Sequence, residues 1–162
     1  MTGQHNTIEI GSEMPEYISL PITRTHLVRY AGASGDFNPL HHDQTFANTI
    51  GLQNVIAHGM FIMAIAGEAI TSWIGNKNLK KFHSRFLAKT EPVDWDDFEN
   101  TKDRATIVVK GKVARIFVEN GEKLFECKIV AENLLGSKKL SGSFIAAMPG
   151  ESPHDATEKG VL

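Results

Sequence analysis

Cys127 is the single cysteine of the chain. That excludes a disulfide framework and a multi-cysteine metal site, and it fits a reducing compartment. Its place in an alternating strand pattern marks it as a buried structural thiol. Excess charge of one sign is also missing: 17 Lys+Arg stand against 19 Asp+Glu, a net charge of −2. No electrostatic reason therefore exists to expect nucleic acid or a membrane surface as partner. No apolar run reaches the roughly 20 residues that a membrane-spanning helix needs. The longest, Met60 to Ile74, is shorter and carries Glu68. The N-terminal MTGQHNTIEIG has no basic segment followed by an apolar one, so no secretory signal is expected and the expected location is the cytoplasm. Internal repeats and low-complexity tracts are absent. A hydrophobic content of 41% over 162 residues suffices for an ordinary core. One domain is expected over residues 1–148. Residues 149–162, with little apolar content, are expected to form a mobile tail.

The local patterns give an order of elements. A short strand is expected near Thr7 to Ile10 and another over Tyr17 to Ile22. Thr23 can cap a helix to about Gly32, with Leu27, Val28 and Ala31 facing inward. Asp43 begins a second short helix, with Phe46, Ala47 and Ile50 at helical spacing and Gly51 as its stop. A long helix follows from Gly59 to about Trp73. It is apolar nearly all round and is expected to be buried, its small residues Ala64, Ala66, Gly67 and Ala69 letting a sheet approach. Beyond Gly75-Asn76, Leu79 to Lys89 reads as a strand, and the acidic, Pro92-containing stretch 91–103 as a loop. Ala105 to Glu119 is rich in β-branched residues, and Asn120-Gly121 is a hairpin signal. Leu124 to Asn133 alternates, with Phe125, Cys127, Ile129 and Ala131 on one face. Lys139 to Met148 gives a last strand. A single apolar helix with a run of antiparallel strands is an α+β architecture.

The chemistry concentrates in Tyr30 to Met60. The turn Ser34-Gly35-Asp36-Phe37-Asn38-Pro39-Leu40-His41 holds a carboxylate and an imidazole five positions apart. Ala57-His58-Gly59 stands immediately before the long apolar helix. A carboxylate, an imidazole and the free N–H groups of a helix start are the ingredients of acid–base chemistry with an oxyanion site. An Asp in a Gly/Asn/Pro turn is by itself ordinary turn chemistry, but a turn needs no His at that spacing. A metal reading with His41, His42, Asp43 and His58 fares worse, because adjacent His and Asp point differently and no pair sits at a standard helical spacing. No metal or other cofactor is expected. His58 reads as a polar residue near the helix start with a secondary place in the site. Lys77, Lys80, Lys81, Arg85 and Lys89 form a basic cluster that is either a solvated strand face or a contact for an anionic carrier.

The string Tyr30 to His41, with its Gly-Asp-x-Asn-Pro-x-His core, resembles the signature of the MaoC-like hydratases and dehydratases, and Ile56-Ala57-His58-Gly59-Met60 matches at the expected distance. The resemblance runs over about Thr23 to Lys89 and continues in the later strands only as pattern. It implies a hot dog fold, a long central helix wrapped by a curved antiparallel sheet, paired as a homodimer or as a heterodimer with another hot dog subunit. It further implies reversible hydration of trans-2-enoyl thioesters, or dehydration of (3R)-3-hydroxyacyl thioesters, in fatty acid metabolism. The thioester would be carried by CoA or acyl carrier protein. The family's catalytic carboxylate falls on Asp36, its catalytic imidazole on His41, an accompanying amide on Asn38 and the oxyanion-site glycine on Gly59. Arg85 and Lys81 are the candidate contacts for the thioester carrier. The sequence departs from the pattern mainly in the acidic stretch 91–103 and at its C-terminal end. Two other readings stay open: a hot dog acyl thioesterase, and a non-catalytic subunit of a paired dehydratase.

Overall fold

The longest apolar stretch of the sequence becomes the longest helix. In the computed structural model, which describes residues 7–149, the helices are α1 (Arg24–Ser34), α2 (Gln44–Thr49), α3 (Gly59–Ile74) and α4 (Phe98–Ala105). The strands are β1 (Tyr17–Ile18), β2 (Leu79–Phe86), β3 (Ile107–Glu119), β4 (Glu122–Asn133) and β5 (Lys138–Ala147). They form one antiparallel sheet in the order β1-β3-β4-β5-β2, so β2 is an edge strand. The sheet packs along α3, the α+β hot dog arrangement. Ile62, Ile65, Ala66, Ala69, Ile70 and Ile74 are buried between them. Each such isoleucine contributes about 1.5–3 kcal/mol of burial. Behind them Trp73, Phe125 and Phe144 meet edge to face, their ring centroids 5.8, 5.9 and 6.3 Å apart.

The β3–β4 hairpin turns at Asn120 and Gly121, both left-handed with φ of 50° and 79°. That is the backbone of the Asn-Gly turn whose twist matches its strands. In β4 the predicted face of Phe125, Cys127, Ile129 and Ala131 is buried. Burial pushes the Cys127 thiol up to about 12, as an inert core sulfur requires. At Gly142 a Cβ would lie 2.3 Å from the His83 carbonyl oxygen, so β5 and β2 can approach as they do only with glycine there.

Several expectations are corrected. Thr7 to Ile10 is no strand: a turn at Glu9–Ser12 intervenes, and the chain then runs beside β3 through a Glu13–Lys112 bridge and backbone hydrogen bonds joining Gly11, Ser12 and Met14 to Val113 and Gly111. β1 is only two residues long, cut short before Pro21, which has no N–H for the ladder. In α1, Leu27 and Ala31 are buried but Val28 is 61% exposed. In α3 the positions Met60, Ala64, Glu68 and Ser72 form an exposed stripe, because the sheet covers one side of the helix and not the other. The acidic stretch holds α4. Thr101 and Ala105, one turn apart, are buried, and Thr101 Oγ1 accepts from Asp94 N–H at 3.0 Å and donates to the Asp97 carbonyl at 2.7 Å. Of the expected tail, only Pro149 lies among the described residues. Among those residues no helix is long and apolar enough to cross a membrane.

Candidate active site

The polar turn is ordered by its own side chains. Gly35 ends α1 in a left-handed conformation with φ of 74°, its N–H donating to the Ala31 carbonyl at 2.9 Å. Asp36 N–H then donates to Ser34 Oγ at 3.2 Å, and Asn38 N–H donates to Asp36 Oδ1 at 3.2 Å. Asn38 Oδ1 in turn accepts from Leu40 N–H at 3.2 Å, capping the 3₁₀ turn Pro39–His41 that opens on proline. The Asn38 side-chain oxygen is therefore engaged in holding the turn.

This turn drives His41 inward, to 8% exposure, while the Asp36 side chain stays 53% exposed. His41 Nδ1 lies 2.7 Å from the Ile56 carbonyl, an acceptor, so Nδ1 carries the proton and donates. The lone pair of Nε2 then faces Asp36 Oδ2 at 3.8 Å. That distance is too long for a direct hydrogen bond. Burial holds the His41 imidazole below its ordinary range, against the opposing pull of the Ile56 carbonyl; His58 adds to the lowering, Asp36 opposes it, and His42 lowers it further.

His58 completes the arrangement. It is 2% exposed, and its ring stacks on His41 with centroids 3.6 Å apart and planes 23° apart. Its Nε2–H donates to the Asp36 backbone carbonyl at 3.0 Å, tying the start of α3 to the polar turn across 22 residues. Tyr30 packs on the ring at 4.8 Å and on Phe61 at 5.2 Å. His58 Nδ1 is buried with no hydrogen-bond partner among the described residues.

Asp36, His41 and His58 each bring a potential ligand atom within 4.8 Å of the others. The stack argues against a shared metal. Imidazole lone pairs lie in the ring planes, and two nearly parallel planes 3.6 Å apart do not converge on one ion at the roughly 2.0–2.1 Å that zinc requires. The neighbouring pair points elsewhere: His42 Nε2 donates to the Phe37 carbonyl at 3.2 Å, and Asp43 caps α2 through Phe46 N–H at 3.0 Å.

Gly59 is the first residue of α3. His58 gives that helix no side-chain cap, and the N–H groups of Gly59 and Met60 have no acceptor among the described residues. A helix start of this kind favours negative charge. A Cβ on Gly59 would stand 3.4 Å from the Phe86 ring, which is packed over this point from β2. Arg85, the next position on β2, projects to the other face of the strand. Lys81 and Arg85 are exposed and have no ion pair among the described residues, whereas Lys80 pairs with Glu122 and Lys89 with Glu91, each at 2.8 Å. No described contact joins Lys81 or Arg85 to Asp36 or His41.

The structure thus brings Asp36, His41, His58 and the N-terminus of α3 together. Sequence reasoning gave His58 a secondary place in the site, quoted Tyr30 only as part of the motif, and did not single out Phe86 or the Ile56 carbonyl. One available signal was the His at a helix N-cap, where Ser, Thr, Asp or Asn is the common choice.

Comparison with known proteins gives the family and the fold. A family described as "MaoC like domain" matches residues 6–119. The chain is similar to an R-hydratase, PhaJ1 from Pseudomonas aeruginosa in the unliganded form, with 25% identity and a TM-score of 0.72 over 89% of this chain and 84% of that one. It is 44% identical over 50 residues to a 3-hydroxyacyl-thioester dehydratase X of Mycobacterium tuberculosis, covering 31% of this chain and 18% of that protein. It is 38% identical over 65 residues to a fatty acid synthase subunit beta of Gibberella zeae, covering 38% of this chain and 3% of that protein. The chain therefore corresponds to a small part of these curated relatives.

Proposed function

From the premise that this chain belongs to the MaoC-like domain family, we propose that it is a hydro-lyase that reversibly hydrates trans-2-enoyl thioesters, or dehydrates (3R)-3-hydroxyacyl thioesters, in fatty acid metabolism. The unit proposed to carry the reaction is a single domain over residues 1–148. The observation that carries the reading is the facing of Asp36 and the unprotonated Nε2 of His41, with the uncapped start of α3 beside them.

Hydration must place oxygen on the β-carbon and a proton on the α-carbon, while negative charge builds on the thioester oxygen. Water is a weak nucleophile, so a base must take its proton as it attacks. The 3.8 Å between Asp36 Oδ2 and His41 Nε2 suits two groups that share one water rather than bond each other. The Ile56 carbonyl fixes the His41 tautomer, and the lowered proton affinity of the ring keeps Nε2 free to accept at neutral pH. His58 stacks on His41 and directly precedes Gly59, so the Gly59 N–H lies next to the dyad and can receive the thioester oxygen. Asn38 positions the dyad by holding the turn. The carrier of the thioester is CoA or acyl carrier protein, and Lys81 and Arg85, exposed and without an ion pair among the described residues, are its proposed contacts. No cofactor is required, and the proposed location is the cytoplasm.

We also propose that the chain works as a homodimer, with a heterodimer of two hot dog subunits as the alternative. Strand β2 leaves one row of backbone groups unpaired at the sheet edge. Phe37, Met60 and Phe86, at 63%, 55% and 46% exposure, lie near the dyad and the start of α3. Such surfaces mark association. Sedimentation showing only monomer at micromolar concentration, with activity intact, would remove this part of the reading.

The reaction is tested by incubating the protein with crotonyl-CoA and longer enoyl-CoAs while following conjugated-enoyl absorbance and free thiol. Loss of absorbance without thiol is the expected result. Thiol release would instead identify a thioesterase, and neither signal would favour a non-catalytic subunit.

A further inference from the structure

Outside the dyad, a cleft of about 320 Å³ is lined by Ala88, Lys89, Glu91, Arg104 and Lys139. Three of its residues are cationic and one is acidic. Lys89 pairs with Glu91 at 2.8 Å. One guanidinium nitrogen of Arg104 donates to Asp94 Oδ2 at 2.7 Å and to the Pro92 carbonyl at 3.1 Å. Lys139 has no carboxylate within ion-pair distance among the described residues. It is only 9% exposed, and its Nζ donates to one acceptor, the Lys89 carbonyl at 3.0 Å. Two of the three N–H bonds of that ammonium therefore have no acceptor among the described residues. Arg104 lines the same cleft with a side chain that is 29% exposed.

A buried cation without a counter-ion is costly, and so is each buried donor left unpaired. Burial accordingly lowers the Lys139 ammonium from its ordinary range, with Glu91 opposing and Lys89 reinforcing the effect. A cation with unused donors beside a second cation lining the same cleft matches an oxyanion. A phosphate, with several charged oxygens, can take donors from both side chains at once.

We propose that this cleft binds a phosphate group, held by Lys139 and Arg104. The site is separate from the dyad yet close to it. Lys89 precedes Thr90, whose carbonyl accepts from Ala57 N–H at 2.8 Å, and Ala57 precedes His58. Two sources share this chemistry: free inorganic phosphate, and the phosphate end of a CoA thioester. The inference stands without the hydro-lyase reading, because it concerns binding at residues outside the dyad.

The test is thermal denaturation of the full chain with inorganic phosphate, against chloride at equal ionic strength. Wild type, Lys139→Met and Ala88→Glu are compared, the last placing a carboxylate in the cleft from an exposed position. Phosphate is expected to raise the wild-type midpoint beyond the chloride control, and both variants are expected to lose that shift. A wild-type shift no larger than chloride produces, or a shift retained in the variants, overturns the proposal. If Lys139→Met does not fold, Ala88→Glu decides alone. A CoA-induced shift that the variants also lose, and that phosphate competes away, supports the carrier as source. A phosphate shift lost in the variants while the CoA response is unchanged supports free phosphate. A protein that shows the phosphate shift but does not hydrate enoyl thioesters keeps this site and sinks the hydro-lyase reading.

Discussion

The segment from Gly35 to Gly59 and the sheet β3–β5 are held by different forces. In the segment, order comes from short-range polar contacts: Ser34 to Asp36, Asp36 to Asn38, Asn38 to Leu40, Asp43 to Phe46. Each has a net worth of about 0.5–1.5 kcal/mol. In the sheet, long ladders carry fully buried side chains such as Phe125, Ile107, Leu140 and Phe144, at about 1.5–3 kcal/mol apiece. The difference separates two kinds of sensitivity. A side chain changed in the segment should remove reaction and spare the fold, and one changed in the sheet should do the reverse.

The sharpest way to break that contrast is at the dyad. Asp36→Asn keeps size and cannot act as a base at neutral pH, and His41→Gln keeps a polar group without ready proton exchange. Each should lower turnover by about 10²–10⁴, with the thermal midpoint close to wild type. If both groups act on one water, the double variant should be little worse than the worse single one. A folded Asp36→Asn protein with near wild-type hydration would remove the assignment.

The opposite arm is Phe144→Ala. This ring is 0% exposed and meets Trp73 and Phe125. Its loss should cost about 3–5 kcal/mol in urea denaturation, while the protein that remains folded at low temperature keeps its turnover per active site. A loss of stability well under 1 kcal/mol would show that the aromatic cluster is not what secures the sheet.

Gly59→Val tests the border between the two regions. The added side chain would press toward the Phe86 ring and the N–H group offered to the thioester oxygen. Activity should fall at least tenfold with a smaller effect on stability, read by steady-state kinetics and melting. Near-normal turnover would move the oxyanion site elsewhere.

The smallest expected effect is on pH dependence. His41 in the folded protein lies below its unfolded value near 6.5. Between those two values the unfolded chain binds more protons, so stability rises with pH there. The contribution is full above about 6.5 and is lost as pH falls from there through the folded value. Denaturation midpoints measured across this window should slope for wild type and less so for His41→Gln. Equal slopes would show that His41 stays neutral for other reasons.

Much of the fold was legible in periodicity, because α3, the β3–β4 hairpin and the buried face of β4 are repeats of period 3.6 or 2 written in apolar residues. The turn Ser34 to His41 was legible because Gly35, Asn38 and Pro39 act on their immediate neighbours. α4 was not: its acids and Pro92 hid a helix supported by the Asp94–Thr101 contact and by burial of Thr101 and Ala105, although Glu99 in its first turn and Lys102 and Arg104 in its last suit a helix dipole. Local pattern alone thus determined the α+β class, the long helix, the hairpin and the pairing of a carboxylate with an imidazole on one turn. Tertiary structure decided that His41 is stacked on His58 and fixed by Ile56, that Phe86 covers Gly59, that one stripe of α3 stays exposed, and that Lys139 and Arg104 line one cleft. Those arrangements bring together residues 15 to 35 positions apart, and no local periodicity encodes which distant side chain will fill a given space.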